Sequence, residues 1–374
     1  MKIGIVLYPT FGGSGVVATE LGLALARRGH SVHFISYRPP ARLEVLQPVI
    51  HYHEVVVPDY PLFDFLPYET ALSSQIVDVT LEEDLDIIHA HYALPHATAA
   101  FLAREILADK GKSIPILTTL HGTDITLVGR DPSFAHTLRY VLKHSNGITA
   151  VSNFLKKETE SLFPETKPIK VIHNFIHLSK FRGPSPDDCI KKYLSKQGEF
   201  VLSHISNFRP VKRIQDVVDI FRLVNEKVPA VLLMVGDGPE KPLAEVLVRK
   251  YGLQKKVLFL GNLVEAYSVL SCTDFYLLPS NRESFGLSAL EALASGVPVA
   301  GYNVGGLTEI IDNEQTGFLA EIGDTEGLAN AIIDVFLNPE KLALLKNQSR
   351  KKASMFSDEI IVPLYEEIYA SLIF

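Results

Sequence analysis

The chain has 374 residues, 47% hydrophobic and 21% charged, with a formal net charge of −7. That length and apolar content suit two cored domains, and the negative balance argues against nucleic-acid binding, which asks for a basic face. No apolar stretch approaches the length of a membrane span, so no stable membrane association and a cytoplasmic location are expected.

The opening "MKIGIVLYPTFGG" has one lysine and a short apolar run before Pro9 and Gly12; it reads as a first strand, not a signal peptide. A helix, "GVVATELGLALARR", follows and is closed by Gly29; "SVHFIS" is the second strand. "DIIHAHY", "PILTTLHG", "GITAVS" and "IKVIHN" continue the pattern, each strand ending in small or polar residues. Residues 176–199 are polar, with two prolines and two glycines, and read as a linker with a short helix; Cys189 lies here, far from Cys272 and in no metal-like spacing. The pattern then restarts with "FVLSHIS", "AVLLMVG", "KVLFLG", "DFYLLPS" and "VPVAG". Alternating strands and helices predict parallel sheets covered on both faces. The fold class is therefore α/β, with two doubly wound Rossmann-like domains over 1–175 and 200–356 that face each other across a ligand cleft. The segment 357–374 has helical spacing and is expected to pack back on the first domain.

The richest stretch is "RESFGLSALEALASGVPVAG", residues 282–301. Leu and Ala predict a helix over 286–295, stopped by Gly296 and Pro298. No side of that helix is polar, so Glu291 is a buried carboxylate that needs donors. A ligand with paired hydroxyls supplies them; so does a neighbouring loop. Glu283 precedes the first turn, where free N–H groups favour an anion, and it offers an acceptor to a neutral hydroxylated group. A sugar phosphate fits both halves of this description.

Gly12, Gly13 and Gly15 open the first helix, where backbone N–H groups can approach a phosphate or carboxylate. A plain tight turn is the other reading. The spacing is not G-x-G-x-x-G, and "FISYR" lacks the acidic residue of a dinucleotide site. Arg209, Lys212 and Arg213 cluster after the first strand of the second domain, as a fork and point charges for phosphate or as a solvated helix start. Asp237 reads as a turn former and Glu309 as a first-turn helix charge. Alternation puts His89 and His91 on one face, with His96 near, but no carboxylate or cysteine cluster joins them as metal ligands. His121 stands at a strand end as a hydrogen-bonder of a ligand or of the core.

In order along the chain, "GGSGVVATELG", "TTLHGTD", "VIHNFI", "ISNFRPVKR", "GDGPE", "ESFGLSALEALASGVPV" and "GGLTEII" resemble the motifs of the retaining glycosyltransferases of family 4, with their E-x7-E pair and two-domain GT-B fold. Within that family, "TLHGTDITL", "ISNFRPVKRI" and the "PLFDFLPYETAL" region are similar to members that move N-acetylglucosamine (GlcNAc) from UDP-GlcNAc to L-malate, giving GlcNAc-α-malate, the first step of bacillithiol synthesis.

The resemblance implies that Glu291 holds the ribose hydroxyls of UDP and Glu283 the donor-sugar hydroxyls. Phe285, Gly286 and Leu287 offer backbone N–H groups, and Gly13, Ser206 and Asn262 complete the donor site. Arg209 and Lys212 neutralise the leaving diphosphate. His121 contacts the sugar near its anomeric centre. Many members carry Gly-Arg where this chain has Ser206-Asn207, which leaves Arg209 as the phosphate arginine. Ser14, Tyr92, Thr119 and Asn153 are the expected malate contacts. Neither a cofactor nor a metal is implied, and a homodimer is. Retention in this family is explained by attack on the face the leaving group departs from, with the β-phosphate oxygen as base. Other expectations compatible with the donor motifs are a lipid or glycan acceptor with another nucleotide sugar, and a sugar-nucleotide binding module without catalysis.

Overall fold

The computed structural model describes residues 1–10, 12–43, 48–57, 67–181, 198–263 and 267–373. Cys189, most of the segment 176–199 and the first part of the "PLFDFLPYETAL" stretch lie outside the described residues. The chain divides into two compact units, Met1–Asn174 with Asp358–Phe374, and Phe175–Ser357.

The first unit holds a seven-stranded parallel sheet in the order β3-β2-β1-β4-β5-β6-β7. Its strands are β1 (Lys2–Val6), β2 (Ser31–Ser36), β3 (Ile50–Glu54), β4 (Ile87–His91), β5 (Ile116–Leu120), β6 (Gly147–Ala150) and β7 (Ile169–Val171). Every residue of β4 and β5 is buried, because helices cover both faces of the sheet centre. One face packs Val6, Ile35, Ile88 and Ile116 against Leu72 and Ile76 of the helix Tyr68–Glu83 and Ala103 of the helix Thr98–Asp109. The helix Asp358–Ile373 belongs to this unit: Tyr369 Oη lies 2.7 Å from His89 Nδ1, and Glu366 pairs with Arg28 at 2.8 Å.

The second unit holds a six-stranded parallel sheet in the order β10-β9-β8-β11-β12-β13. Its strands are β8 (Phe200–Ile205), β9 (Ala230–Val235), β10 (Val257–Gly261), β11 (Phe275–Leu278), β12 (Val299–Tyr302) and β13 (Gly317–Ala320). Leu202, Leu232 and Leu277 face a core with Val217, Phe221 and Ile332, while Val201, Val231 and Leu233 pack on the other side. Each sheet has one point where strand order reverses, between β1 and β4 in the first and between β8 and β11 in the second. Ligands of such sheets bind outside the carboxyl ends of the strands at that point.

Candidate functional site

At the first switch point the chain leaves β1 through Tyr8 and leaves β4 through Tyr92. Gly13 starts the helix Gly13–Arg27 at φ +43, with open space where a Cβ would stand, and Ser14 follows half-buried. Gly15 has a different duty: a Cβ there would lie 2.5 Å from the Tyr8 and Thr10 carbonyl oxygens, so its bareness lets the helix pack on the β1 loop. The Tyr8 and Tyr92 rings meet edge-on with centroids 5.4 Å apart, and the His96 ring lies 4.4 Å from that of Tyr8. Tyr92, at φ +88, holds a left-handed backbone unusual for a side-chain-bearing residue. Its amide is fixed on the Thr119 carbonyl at 2.9 Å, and its ring centroid lies 5.2 Å from that of half-buried His121.

His121 Nε2 and His91 Nδ1 share a proton at 2.9 Å. Asp124 fixes this turn: one oxygen accepts from the Gly122 amide at 2.8 Å and the other from the Ala93 amide at 3.2 Å. Burial pushes the Asp124 carboxyl up to about 6. The same burial holds the His121 and His89 imidazoles down to about 3 and His96 to about 4. The Nε2 atoms of His91 and His96 are buried without a hydrogen-bond partner among the described residues. Tyr8 and Asp124 were not singled out from sequence, and His91 and His96 were weighed only as metal ligands; the density of polar residues at the ends of β1, β4 and β5 was the available signal.

One expectation for this unit changes, that for Thr119. His89 is a core residue with both ring nitrogens used, Nδ1 by Tyr369 and Nε2 by Thr119 Oγ1 at 2.6 Å. Thr119 is fully buried, its hydroxyl also bonded to Thr149 Oγ1 at 2.6 Å, so its side chain belongs to the sheet interior and not to an acceptor pocket. Asn153 is exposed at the start of the helix Asn153–Leu162, beyond the carboxyl end of β6.

At the second switch point Lys212 follows β8 and Glu283 follows β11. The Lys212 ammonium lies 2.5 Å from Glu283 Oε1, and the Ser280 hydroxyl donates to the same oxygen at 2.8 Å. Glu283 is 9% exposed, and its Oε2 has no hydrogen-bond partner among the described residues, which leaves an acceptor for a sugar hydroxyl. An ammonium has three donors, so Lys212 can hold Glu283 and still reach a phosphate oxygen. Arg209 is exposed and has no ion-pair partner among the described residues. Arg213 is committed elsewhere: its Nε donates to Asp216 at 2.6 Å, and Asp216 also receives the Tyr302 hydroxyl. Asn262 is exposed after β10.

The helix begins at Leu287 and ends at Ala294, with Gly286 at φ +95 before it and no side chain capping its first turn. Its free N–H groups are therefore available to an anion. Glu291 is 8% exposed, as the apolar surroundings require, and Phe285 is buried against Phe356. Burial, with Glu283 and Glu291 close by, pushes the Tyr276 phenol up.

The Ser206 hydroxyl departs from its expected role. Leu277 accepts from His204 Nδ1 at 2.8 Å, so His204 Nε2 must accept from Ser206 Oγ at 2.7 Å; Ser206 Oγ in turn accepts from the Phe208 amide at 3.2 Å. Its side chain thus anchors the loop that presents Arg209 and Lys212. Gly236 tightens the same loop: a Cβ there would lie 1.8 Å from the Ser206 carbonyl oxygen, at φ +119. Gly236→Ala is expected to cost more than about 4 kcal/mol, read as a lowered thermal midpoint of the second unit.

The family description Glycosyltransferase Family 4 matches residues 11–180, and Glycosyl transferases group 1 matches residues 187–352. The chain is 44% identical over 370 residues to N-acetyl-alpha-D-glucosaminyl L-malate synthase of Bacillus anthracis, covering 99% of this chain and 96% of that one. Sucrose-phosphate synthase from Thermosynechococcus elongatus superimposes with a TM-score of 0.82 at 21% identity, over 100% of this chain and 99% of that one. Anabaena HepE in complex with UDP-glucose gives a TM-score of 0.78 at 22% identity, over 99% of this chain and 100% of that one. The two structural likenesses carry the fold, which is GT-B.

Proposed function

Because the chain belongs to glycosyltransferase family 4, we propose that it moves N-acetylglucosamine from UDP-N-acetylglucosamine to the hydroxyl of L-malate with retention of the α configuration. The observation that carries this reading is the 44% identity, end to end, with the Bacillus anthracis malate synthase. The second unit supports the donor half: an uncapped helix start for the phosphates, a Glu283 oxygen unpartnered among the described residues for the sugar and buried Glu291 for the ribose hydroxyls. The first unit supports the acceptor half with Ser14, Tyr92 and Asn153, beside His121.

In the reaction the malate oxygen bonds to the anomeric carbon as the bond to the UDP oxygen breaks. The malate hydroxyl proton passes to the departing β-phosphate oxygen. Arg209 and Lys212 stabilise the charge that builds on UDP. These cations do the work a metal would do, so transfer is proposed to be metal-independent. Among the described residues no helix is long and apolar enough to cross a membrane, which fits a reaction of water-soluble substrates in the cytoplasm.

The test is UDP release from UDP-N-acetylglucosamine in the presence of a chelator, with and without L-malate. Malate-dependent release is expected. Release without malate dependence would overturn the acceptor, and none at all would overturn the reaction. Glu291→Gln is expected to weaken UDP binding about 10- to 100-fold, the worth of charge-assisted hydrogen bonds, read by titration calorimetry.

A further inference from the structure

On the far side of the first sheet, β2 and β3 run parallel with His33 opposite His51 in register. Side chains alternate along a strand, so His51 and His53 share the face of His33. The His33 and His51 rings stack with centroids 4.5 Å apart, and His33 Nδ1 lies 3.1 Å from His53 Nε2. Glu83, the last residue of the helix Tyr68–Glu83, brings a carboxylate to the same place: one ligand atom each from His33, His53 and Glu83 lie within 4.8 Å of one another. Three elements far apart in sequence thus converge on one point.

We propose that His33, His53 and Glu83 form a binding site for a divalent cation of the zinc class, with a fourth position open to water. Two nitrogens bound to one tetrahedral zinc stand about 3.3 Å apart, from Zn–N lengths of 2.0–2.1 Å. The 3.1 Å between His33 Nδ1 and His53 Nε2 is close to that span, so the ion needs little movement of either ring. Ser31 Oγ lies 3.1 Å from His33 Nε2. When that nitrogen donates its proton to the hydroxyl, the Nδ1 lone pair faces the site, the outer-shell arrangement that fixes a metal-binding tautomer. Two imidazoles and a carboxylate suit zinc, cobalt or nickel better than the hard cations.

The surrounding charges are mixed. Burial, with His51 and His53 beside it, holds His33 neutral down to about 4, and burial also lowers His53. Unprotonated rings are what a metal requires. Lys2 opposes the ion, since its ammonium sits 2.8 Å from the Glu83 carbonyl oxygen. Glu83 precedes β4, so its carboxylate comes from the amino-end side of the sheet, while His33 and His53 stand within β2 and β3, at the sheet edge away from β4 and β5, whose carboxyl ends carry Tyr92 and His121. The ion's work there is to tie the edge strand β3 to β2 and to a helix end, not to take part in transfer.

The experiment strips the untagged full chain with chelator and dialyses it against zinc alone. One equivalent bound and a raised thermal midpoint are expected. His53→Ala should weaken binding by more than about 100-fold, beyond the 10–100-fold typical of losing an outer-shell partner, which is the effect expected for Ser31→Ala. Glu83→Gln, at a half-buried helix end, guards against a His53 variant that fails to fold, and it should weaken binding too. Less than one equivalent bound, or zinc binding unchanged in both His53→Ala and Glu83→Gln, would overturn the site. Malate-dependent UDP release from the stripped protein tests the transfer reaction separately, because the two outcomes are independent.

Discussion

Lys212→Met is expected to lower kcat by about 10²–10³-fold, the loss seen when one donor is removed from a charge-stabilising site. The side chain does two things at once. It carries positive charge at the carboxyl end of β8, where the diphosphate is proposed to leave, and it neutralises a Glu283 carboxylate that is only 9% exposed. Without the ammonium, Ser280 alone among the described residues faces that charge. A buried carboxylate that loses its partner takes up a proton, and it then accepts sugar hydroxyls poorly. Both effects depress turnover, and a double variant separates them. Lys212→Met with Glu283→Gln removes the stranded charge and should regain most of the lost thermal stability. Its kcat should stay low, because the leaving group still lacks its cation. A double variant that recovered turnover would make the ion pair a structural device and nothing more.

The second large effect is acid instability that begins in the first unit. His89 and His96 are fully buried and held neutral down to about 3 and about 4, and His91 is also pulled well below its usual range. Desolvation is the main cause in all three. The unfolded chain protonates them near 6.5, so protons bind the unfolded state first. Their stabilising effect is complete above that value and is lost as pH falls from 6.5 towards 4. Asp124 works in the opposite sense. Its carboxyl titrates at about 6 in the folded unit, so acid restores part of the loss. The net penalty is on the order of 5 kcal/mol at pH 4 before His91 is counted, comparable to the whole stability of a typical domain. The second unit has His204 alone among its fully buried histidines, held down to about 4. Circular dichroism suits the measurement because the chain has no tryptophan. Urea unfolding between about pH 7.5 and pH 4.5 should split into two transitions, with the first unit failing earlier. A first transition that stays put across that range would mean the histidines are not held neutral.

Much of this molecule is legible in the sequence. The central strands are long apolar runs, and an all-apolar helix with one glutamate announces a buried carboxylate. What escaped has physical reasons. The edge strand β3 reads "IHYHE", without apolar alternation, and β13 is only "GFLA". The Lys212–Glu283 pair joins residues 71 apart, and only the adjacency of β8 and β11 brings them together. The strand that carries Thr119 was recognised, but the Thr119 hydroxyl is bonded by His89 and Thr149 from the two neighbouring strands, and side-chain spacing within one strand does not reveal that. Ser206 sits in the right loop, yet its hydroxyl donates its hydrogen bond to a histidine two residues earlier.

The helix Asp358–Ile373 belongs to the first unit although the whole of the second unit, Phe175–Ser357, precedes it in the chain. On the ribosome this reverses the usual order of maturation, in which the amino-terminal domain finishes first. The second unit has all of its strands as soon as residue 357 emerges. The first sheet must wait, with His89 lacking Tyr369 and Gly147 lacking the Leu372 side chain that lies against it. The nascent chain therefore completes its second unit before its first. Until synthesis reaches Tyr369, the half-built first sheet is the surface a chaperone would meet.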